Sequence, residues 1–248
     1  MRTVVISGAS SGIGQATAER FAGSGDRVVN FDVQPPAAVA HPSVRWRKVD
    51  VADWSAVRCA VDEVHAEHGR LDVVIANAGI SVRHGVLELT EAEVRRVVDV
   101  NLLGVLALWR HAAAHMVAQN GGGILLATAS VNGLRGYPFY ADYNATKAGI
   151  VALCRTFALE LSPKVRVACV SPGAVLTPMQ RAEYTDEMLD AVNRNIPAGR
   201  HAAPAEIAEA FHFLASEHAA FVTGQEFVID GGETVGATTA VFGTGGTT

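Results

Sequence analysis

A phenol and an ammonium stand one helical turn apart at Tyr143 and Lys147, and a hydroxyl, Ser130, precedes the phenol by thirteen residues. Residues i and i+4 share a helix face, so Tyr143-Asn-Ala-Thr-Lys147 on a helix presents both groups to one neighbour. A free phenol ionises near pH 10 and is a poor base at neutrality unless a cation stabilises the phenolate. At about 4 Å and an effective dielectric near 20, one positive charge contributes roughly 4 kcal/mol, enough to bring a phenol close to working pH. The expected chemistry is proton transfer at an oxygen, with Lys147 lowering the Tyr143 pKa.

The apolar run Thr3-Val-Val-Ile6 feeds Ser7-Gly8-Ala-Ser10-Ser11-Gly12-Ile13-Gly14, and a helix-like stretch from Gln15 to Ala22 follows. Strand, glycine-rich turn and helix in that order let the backbone approach a pyrophosphate, with the helix-opening N–H groups as donors. The spacing Gly-x-x-x-Gly-x-Gly departs from the commonest dinucleotide fingerprint, and a strand-to-helix turn without a ligand is the alternative. A second strand, Arg27-Val-Val-Asn-Phe31, ends at Asp32, about twenty residues past the glycines, where a carboxylate accepts hydrogen bonds from an adenosine ribose. A carboxylate there repels a 2′-phosphate, and Ser11, Val33 and Gln34 supply no cation to offset it. NAD is therefore expected rather than NADP.

With these residues go Asp50-Val51 after a third apolar run, Asn77-Ala78-Gly79 after a fourth, Asn101, and Pro172-Gly173. In order and spacing they resemble the short-chain dehydrogenase/reductase family over almost the whole chain, with Ser7 where the family usually has Thr. The resemblance implies that Tyr143 exchanges a proton with the substrate oxygen as hydride passes between carbon and nicotinamide. It implies that Lys147 lowers the Tyr143 pKa and bonds the nicotinamide ribose, that Ser130 holds the substrate oxygen, and that Asn101 completes a proton relay through a water. Cofactor contacts carried over by resemblance are Gly8, Ser10, Ser11, Gly12, Ile13, Gly14, Asp32, Asp50, Val51, Asn77, Ala78, Gly79, Tyr143, Lys147, Pro172, Gly173, Val175 and Thr177. Asp50 and Val51 would meet the adenine, and Thr177 the nicotinamide carboxamide. A homotetramer, or a homodimer, is implied, with the helices around 91–117 and 144–160 as self-association surfaces.

The elements that must position these groups are readable from the pattern. Short Val/Ile/Leu-rich runs at 3–7, 27–32, 44–49, 72–76, 123–128, 165–170 and 226–229 alternate with helix-like segments. That alternation is expected of an α/β, doubly wound Rossmann fold: a seven-stranded parallel sheet, helices on both faces, in a single domain spanning 1–248. Ligands bind such sheets at the carboxyl ends of the strands, where the winding reverses, and the glycine turn, Asp32, Asp50, Asn77 and Ser130 all sit at or just after such ends. One helix opens at Thr90-Glu-Ala-Glu93, which has capping-box spacing, and Asn101 interrupts its apolar stripe. Residues 174–200 are expected to cover the substrate as a lid, with Ser81-Val-Arg83-His84 and Val131 to Arg135 beside it. Arg83, Arg135 and Arg181 could recognise a carboxylate or a polyhydroxylated substrate. Residues 233–248 form a Thr- and Gly-rich tail.

Of 248 residues, 49% are hydrophobic and 18% charged, which suits a large two-sided core and disfavours disorder. A net charge of −5 without a basic cluster excludes the usual nucleic-acid footprint. No apolar run approaches a membrane span and the first strand begins at residue 3, so no membrane partner and a cytoplasmic location are expected. Cys59, Cys154 and Cys169 have unrelated spacings, and the pairs His65/His68 and His111/His115 lack a third ligand, so no metal is expected.

Together these features point to an NAD-dependent oxidoreductase of a secondary alcohol or ketone, with a cyclic or polyol-like substrate. The alternatives are an NADPH-dependent reductase of 3-oxoacyl thioesters or polyketide-like ketones, which Asp32 disfavours, and a non-catalytic dinucleotide sensor, which has no need to retain Ser130, Tyr143 and Lys147 together.

Overall fold

The computed structural model describes residues 1–36 and 41–236, so the expected tail lies outside the described residues beyond position 236. Seven strands, β1 (Thr3–Ser7), β2 (Arg27–Asp32), β3 (Val44–Lys48), β4 (Val73–Ala76), β5 (Gly123–Thr128), β6 (Val165–Pro172) and β7 (Gln225–Ile229), form one sheet in the order β3-β2-β1-β4-β5-β6-β7. All pairings are parallel. The chain starts at the centre, winds outward to β3, then crosses back to β4 beside β1. The winding therefore reverses between β1 and β4, the place where open parallel sheets leave a crevice.

The pleat explains the two cores. Alternate residues point to opposite faces, so Val5, Val74, Leu125 and Val167 face one way, while Val4, Ile6, Ile75 and Leu126 face the other. On the first face lie α2 (Trp54–His68), α4 (Gly104–Ala118) and α5 (Ala141–Leu161), which contribute Val61, Leu108, Trp109, Met116 and Ile150. On the second lie α1 (Gly12–Gly23) and α8 (Pro204–Leu214), with Phe21, Ile207 and Phe211. Strands β1 and β4 are buried throughout, as continuous apolar runs covered on both sides must be.

The helix opening after Thr90 begins as α3 (Glu91–Val98), passes through a π turn at Asp99–Leu103 and continues as α4. The Thr90 hydroxyl accepts from the Glu93 N–H at 3.3 Å and donates to the Glu93 carboxylate at 2.6 Å, which fixes the start. The run Glu91–Ala118 is long and apolar enough to cross a membrane by composition, yet its α4 side chains fill the core. Segment 174–200 folds as two short helices, α6 (Pro178–Glu183) and α7 (Asp186–Asn195), each opened by a threonine whose hydroxyl accepts from a helical N–H. Strands β1, β2 and β5 have the bounds expected from the sequence pattern, and the other four differ by one or two residues. The largest difference is β6, which runs on to Pro172 because its end pairs with Ile229.

Candidate active site

The glycine turn is shaped by contacts that leave no space for side chains. A Cβ on Gly14 would lie 2.2 Å from the Gly8 carbonyl oxygen, and Gly8, at φ +68°, abuts Ala78, whose Cα would be 2.7 Å from a Cβ there. Below the turn, the Asn77 amide donates to the carbonyls of Gly8 (3.0 Å) and Ser7 (3.2 Å) and accepts from the Thr128 hydroxyl (2.9 Å). The Ser7 hydroxyl accepts from the N–H groups of Asn77 and Ala78 at 3.0 and 3.1 Å. Three strand ends are thus tied together around the crevice. Ser11 opens α1 without a side-chain cap, which leaves helix-opening N–H groups for a ligand.

At the end of β2, the two Asp32 oxygens accept from the N–H groups of Ser10 and Gln34, both at 3.0 Å. The Asn30 side chain, wholly buried, accepts from Ala9 N–H and donates to the Ser10 hydroxyl, each at 3.0 Å. Asp50 turns the chain by accepting from Ala52 N–H at 2.9 Å. A cavity of about 680 Å³ runs along this edge, within the size range of cofactor sites. Gly8, Ser11, Gly12, Ile13, Asp32, Asp50, Val51, Asn77, Ala78, Gly79, Tyr143, Lys147 and Thr177 line it.

The remaining residues singled out from the sequence stand behind that lining. The Ser10 hydroxyl is committed to the Gln34 carbonyl at 2.6 Å. Gly14 packs under the turn. Gly173 pairs its N–H with Ile229 at the end of β6, next to Pro172. Val175 is buried in the core under α1 and α8, so its side chain does not reach the cavity. Asn101, fully buried in the π turn, donates to the Ile80 carbonyl and accepts from the Ile80 N–H, both at 2.8 Å. A π turn is a common way to aim one side chain out of a long helix, and here it clamps the loop after β4.

Tyr143 and Lys147 sit in the first two turns of α5. The Lys147 ammonium is buried, donates to the Thr128 carbonyl at 2.8 Å, and lies 5.4 Å from the centre of the Tyr143 ring. Ser130 ends the segment after β5, and its hydroxyl accepts from Asn132 N–H at 3.2 Å. The phenol and the ammonium thus line the same cavity as the glycine turn and the Asp32 carboxylate, with the Ser130 hydroxyl beside the phenol. The family described as enoyl-(acyl carrier protein) reductase matches residues 8–234. The chain belongs to the short-chain dehydrogenase/reductase family.

Among the relatives of this dehydrogenase/reductase is cis-4-hydroxycyclohexanecarboxylate dehydrogenase of Sinomonas cyclohexanicum, 39% identical over 242 residues that cover 94% of this chain and 96% of that one. The meso-2,3-butanediol dehydrogenase of Serratia marcescens is 38% identical over 240 residues, 94% of each chain. The solved structure of Thermoplasma acidophilum aldohexose dehydrogenase superimposes with a TM-score of 0.90 at 27% identity, over 96% of this chain and 95% of that one.

The electrostatics of the short-chain dehydrogenase/reductase site differ from the expectation set by spacing alone. Burial pushes the Tyr143 phenol up to about 12, the Ser130 hydroxyl pulls it back, and the Glu183 charge raises it further. The Lys147 ammonium does not offset the burial, because it points at the Thr128 carbonyl and is itself brought down to about 8 by burial. Sequence reasoning also passed over Asn30, which bonds the glycine turn, and over Thr128 and the Arg95 and Arg96 side chains of α3, which line the cavity. Asn30 had a readable signal, a single amide within the apolar run of β2. Two of the three arginines considered for substrate are engaged elsewhere: Arg83 stacks 4.4 Å above the Phe139 ring, and Arg135 donates to the Glu233 carbonyl at 2.9 Å. His65 stacks on His115 at 4.2 Å, and His115 meets Asp62 at 2.7 Å. Among the described residues no group of three or more His, Cys, Asp or Glu could hold a metal ion.

Proposed function

We propose that the protein is an NAD-dependent dehydrogenase of a secondary alcohol, reversible toward the ketone, with Tyr143 as the general acid and base. The observation that carries this reading is that Tyr143 and the buried Lys147 line the cavity that the glycine turn and Asp32 complete, with the Ser130 hydroxyl bonded to the phenol behind them. The residues fit a nicotinamide dinucleotide: a turn where side chains are excluded, uncapped N–H groups at the start of α1, and a carboxylate on the cavity wall at the end of β2. When bound, the dinucleotide supplies hydride to the carbonyl carbon or accepts it from the carbinol carbon.

In reduction, Tyr143 holds its proton at neutral pH, as a phenol pushed up to about 12 does, and delivers it to the substrate oxygen. In oxidation the same oxygen must take a proton, and the Ser130 hydroxyl, a neighbour that pulls the phenol down, favours the phenolate. The Lys147 ammonium, brought down to about 8, is largely charged at neutrality and loses that charge as pH rises through 8. Ser130 donates to the substrate oxygen as its charge develops. Asn101 links the loop after β4 to α5 through Thr146, 3.4 Å from its amide, and so keeps the proton path registered with the phenol. Residues 174–200, whose Thr177, Pro178 and Met179 reach the cavity, serve as its cover. The names of the relatives, a hydroxycyclohexanecarboxylate and a butanediol dehydrogenase, support a small hydroxylated substrate. The exposed Leu159 of α5 and Val117 of α4 support self-association.

Asp32 favours NAD, since its carboxylate accepts from a ribose hydroxyl and repels a 2′-phosphate. Titrating the purified protein with NADH and with NADPH tests this: NADH is expected to bind more than about tenfold tighter, roughly 1.4 kcal/mol. Asp32→Ala should weaken NADH by about 1.5–3 kcal/mol and narrow the gap to NADPH. Tighter NADPH binding to the natural protein would overturn the assignment and move attention to Arg95 and Arg96.

A further inference from the structure

We propose that Glu183 makes this site select uncharged hydroxylated substrates and reject alcohols that carry a carboxylate. The inference rests on the dehydrogenase reading of the same site and names its substrate class. Glu183 is the last residue of α6, the helix whose opening residues Thr177, Pro178 and Met179 line the cavity. Its carboxylate is held by hydroxyls from two other segments, one of them that of Tyr140, whose ring packs beside the Tyr143 ring. Ser81, in the loop after β4, donates to one oxygen, and Tyr140, just before α5, donates to the other at 2.6 Å. The Tyr140 ring is nearly buried and stands edge-on to the Tyr143 ring, with centres 6.2 Å apart, and its hydroxyl lies 3.4 Å from that of Tyr184.

No Lys, Arg or His pairs with Glu183 among the described residues. Its charge is hydrogen-bonded but not neutralised, and it is felt at the phenol, which it pushes up. A second negative charge brought by the substrate meets the same field. Two arginines of the neighbouring loops are engaged elsewhere, with Arg83 stacked on Phe139 and Arg135 bound to the Glu233 carbonyl. A carboxylate has about four acceptor positions and two are used here, so a substrate hydroxyl finds an acceptor where a substrate carboxylate finds repulsion. Arg181, the basic side chain of α6, is exposed.

The test uses a matched pair, 4-(hydroxymethyl)cyclohexanol and 4-hydroxycyclohexanecarboxylate, which share a ring and a secondary alcohol and differ in charge. Dissociation constants are measured with NADH present, followed by kcat/KM for NADH formation. The natural protein should bind the neutral alcohol at least tenfold tighter. Glu183→Gln, which keeps the shape and the Tyr140 contact, should narrow that preference at least fivefold, mainly by tightening the carboxylate. Tyr140→Phe removes one donor and keeps the charge, so the preference should survive even if both alcohols bind more weakly. A natural protein that does not distinguish the pair, or a preference unchanged within twofold in Glu183→Gln, overturns the proposal. Failure of the dehydrogenase reading looks different: the binding preference is present but neither alcohol yields NADH.

Discussion

The two ends of the cavity are built from different materials. Around the glycine turn the walls are main chain: Gly8, Gly14 and Ala78 approach to contact distance, and the side chains that matter, Ser7, Asn30 and Asn77, bond to backbone atoms of neighbouring strand ends. Around Tyr143 the contacts are between side chains of separated segments. Glu183 meets Ser81 and Tyr140 there, and Asn132 bonds Ser130 and Asn144. A main-chain wall is fixed by the sheet and tolerates almost no substitution. A side-chain wall can be rewritten one residue at a time, which suits a scaffold whose cofactor stays constant while its alcohol changes.

The comparison breaks most sharply at Gly14. Gly14→Ala forces a methyl to 2.2 Å from the Gly8 carbonyl oxygen and 2.4 Å from the Asn77 amide nitrogen, both in the rigid wall. A stability loss of about 3 kcal/mol or more is expected in urea unfolding, together with loss of NADH binding. A stable variant that binds NADH normally would show that the turn is softer than its contacts imply.

Lys147 lies between the two ends, and its effect depends on pH. The native amine is brought down to about 8 by burial, against an ordinary value of 10.5, so the folded state binds fewer protons between those values. Stability from this group is therefore present above about pH 10.5 and is lost as pH falls through 8. Lys147→Met removes the buried charge, worth about 3 kcal/mol at pH 7, and forfeits one hydrogen bond to Thr128 of about 1 kcal/mol. The variant is expected to be more stable than the natural protein by about 2 kcal/mol at pH 7, with the advantage gone by pH 10.5. A difference that does not vary with pH would mean that the ammonium is better solvated than its burial suggests.

The smallest effect belongs to the side-chain end. The Thr185 hydroxyl caps α7 by accepting from Met188 N–H at 3.4 Å. Thr185→Ala should cost about 1 kcal/mol locally, raise the KM for the alcohol up to about fivefold, and leave NADH affinity within twofold. Equal weakening of both ligands would remove the distinction between the two ends.

How much was legible in the sequence follows the same division. Main-chain features announce themselves locally: apolar runs give the strands, glycines the turn, and an acid at a strand end the site of Asp32. The interruption of an apolar stripe marked Asn101, although nothing in the pattern specified a π turn. Side-chain geometry is set by distant partners and was not legible. Spacing placed Tyr143 and Lys147 on one helix face but could not show that the ammonium turns to Thr128, a carbonyl nineteen residues away, or that burial dominates at the phenol. The Ser81–Glu183 contact joins residues 102 positions apart and left no local trace.

The central claim is that Tyr143 moves the proton at a site whose cofactor end is independent of it. Tyr143→Phe, compared with the natural protein for NADH formation from a secondary alcohol and for NADH affinity, tests it directly. The expected result is a loss of kcat of about 10²–10⁴-fold, the usual scale for a general acid–base residue, with the NADH dissociation constant within threefold. A phenylalanine variant that oxidises the alcohol at the natural rate would contradict the mechanism.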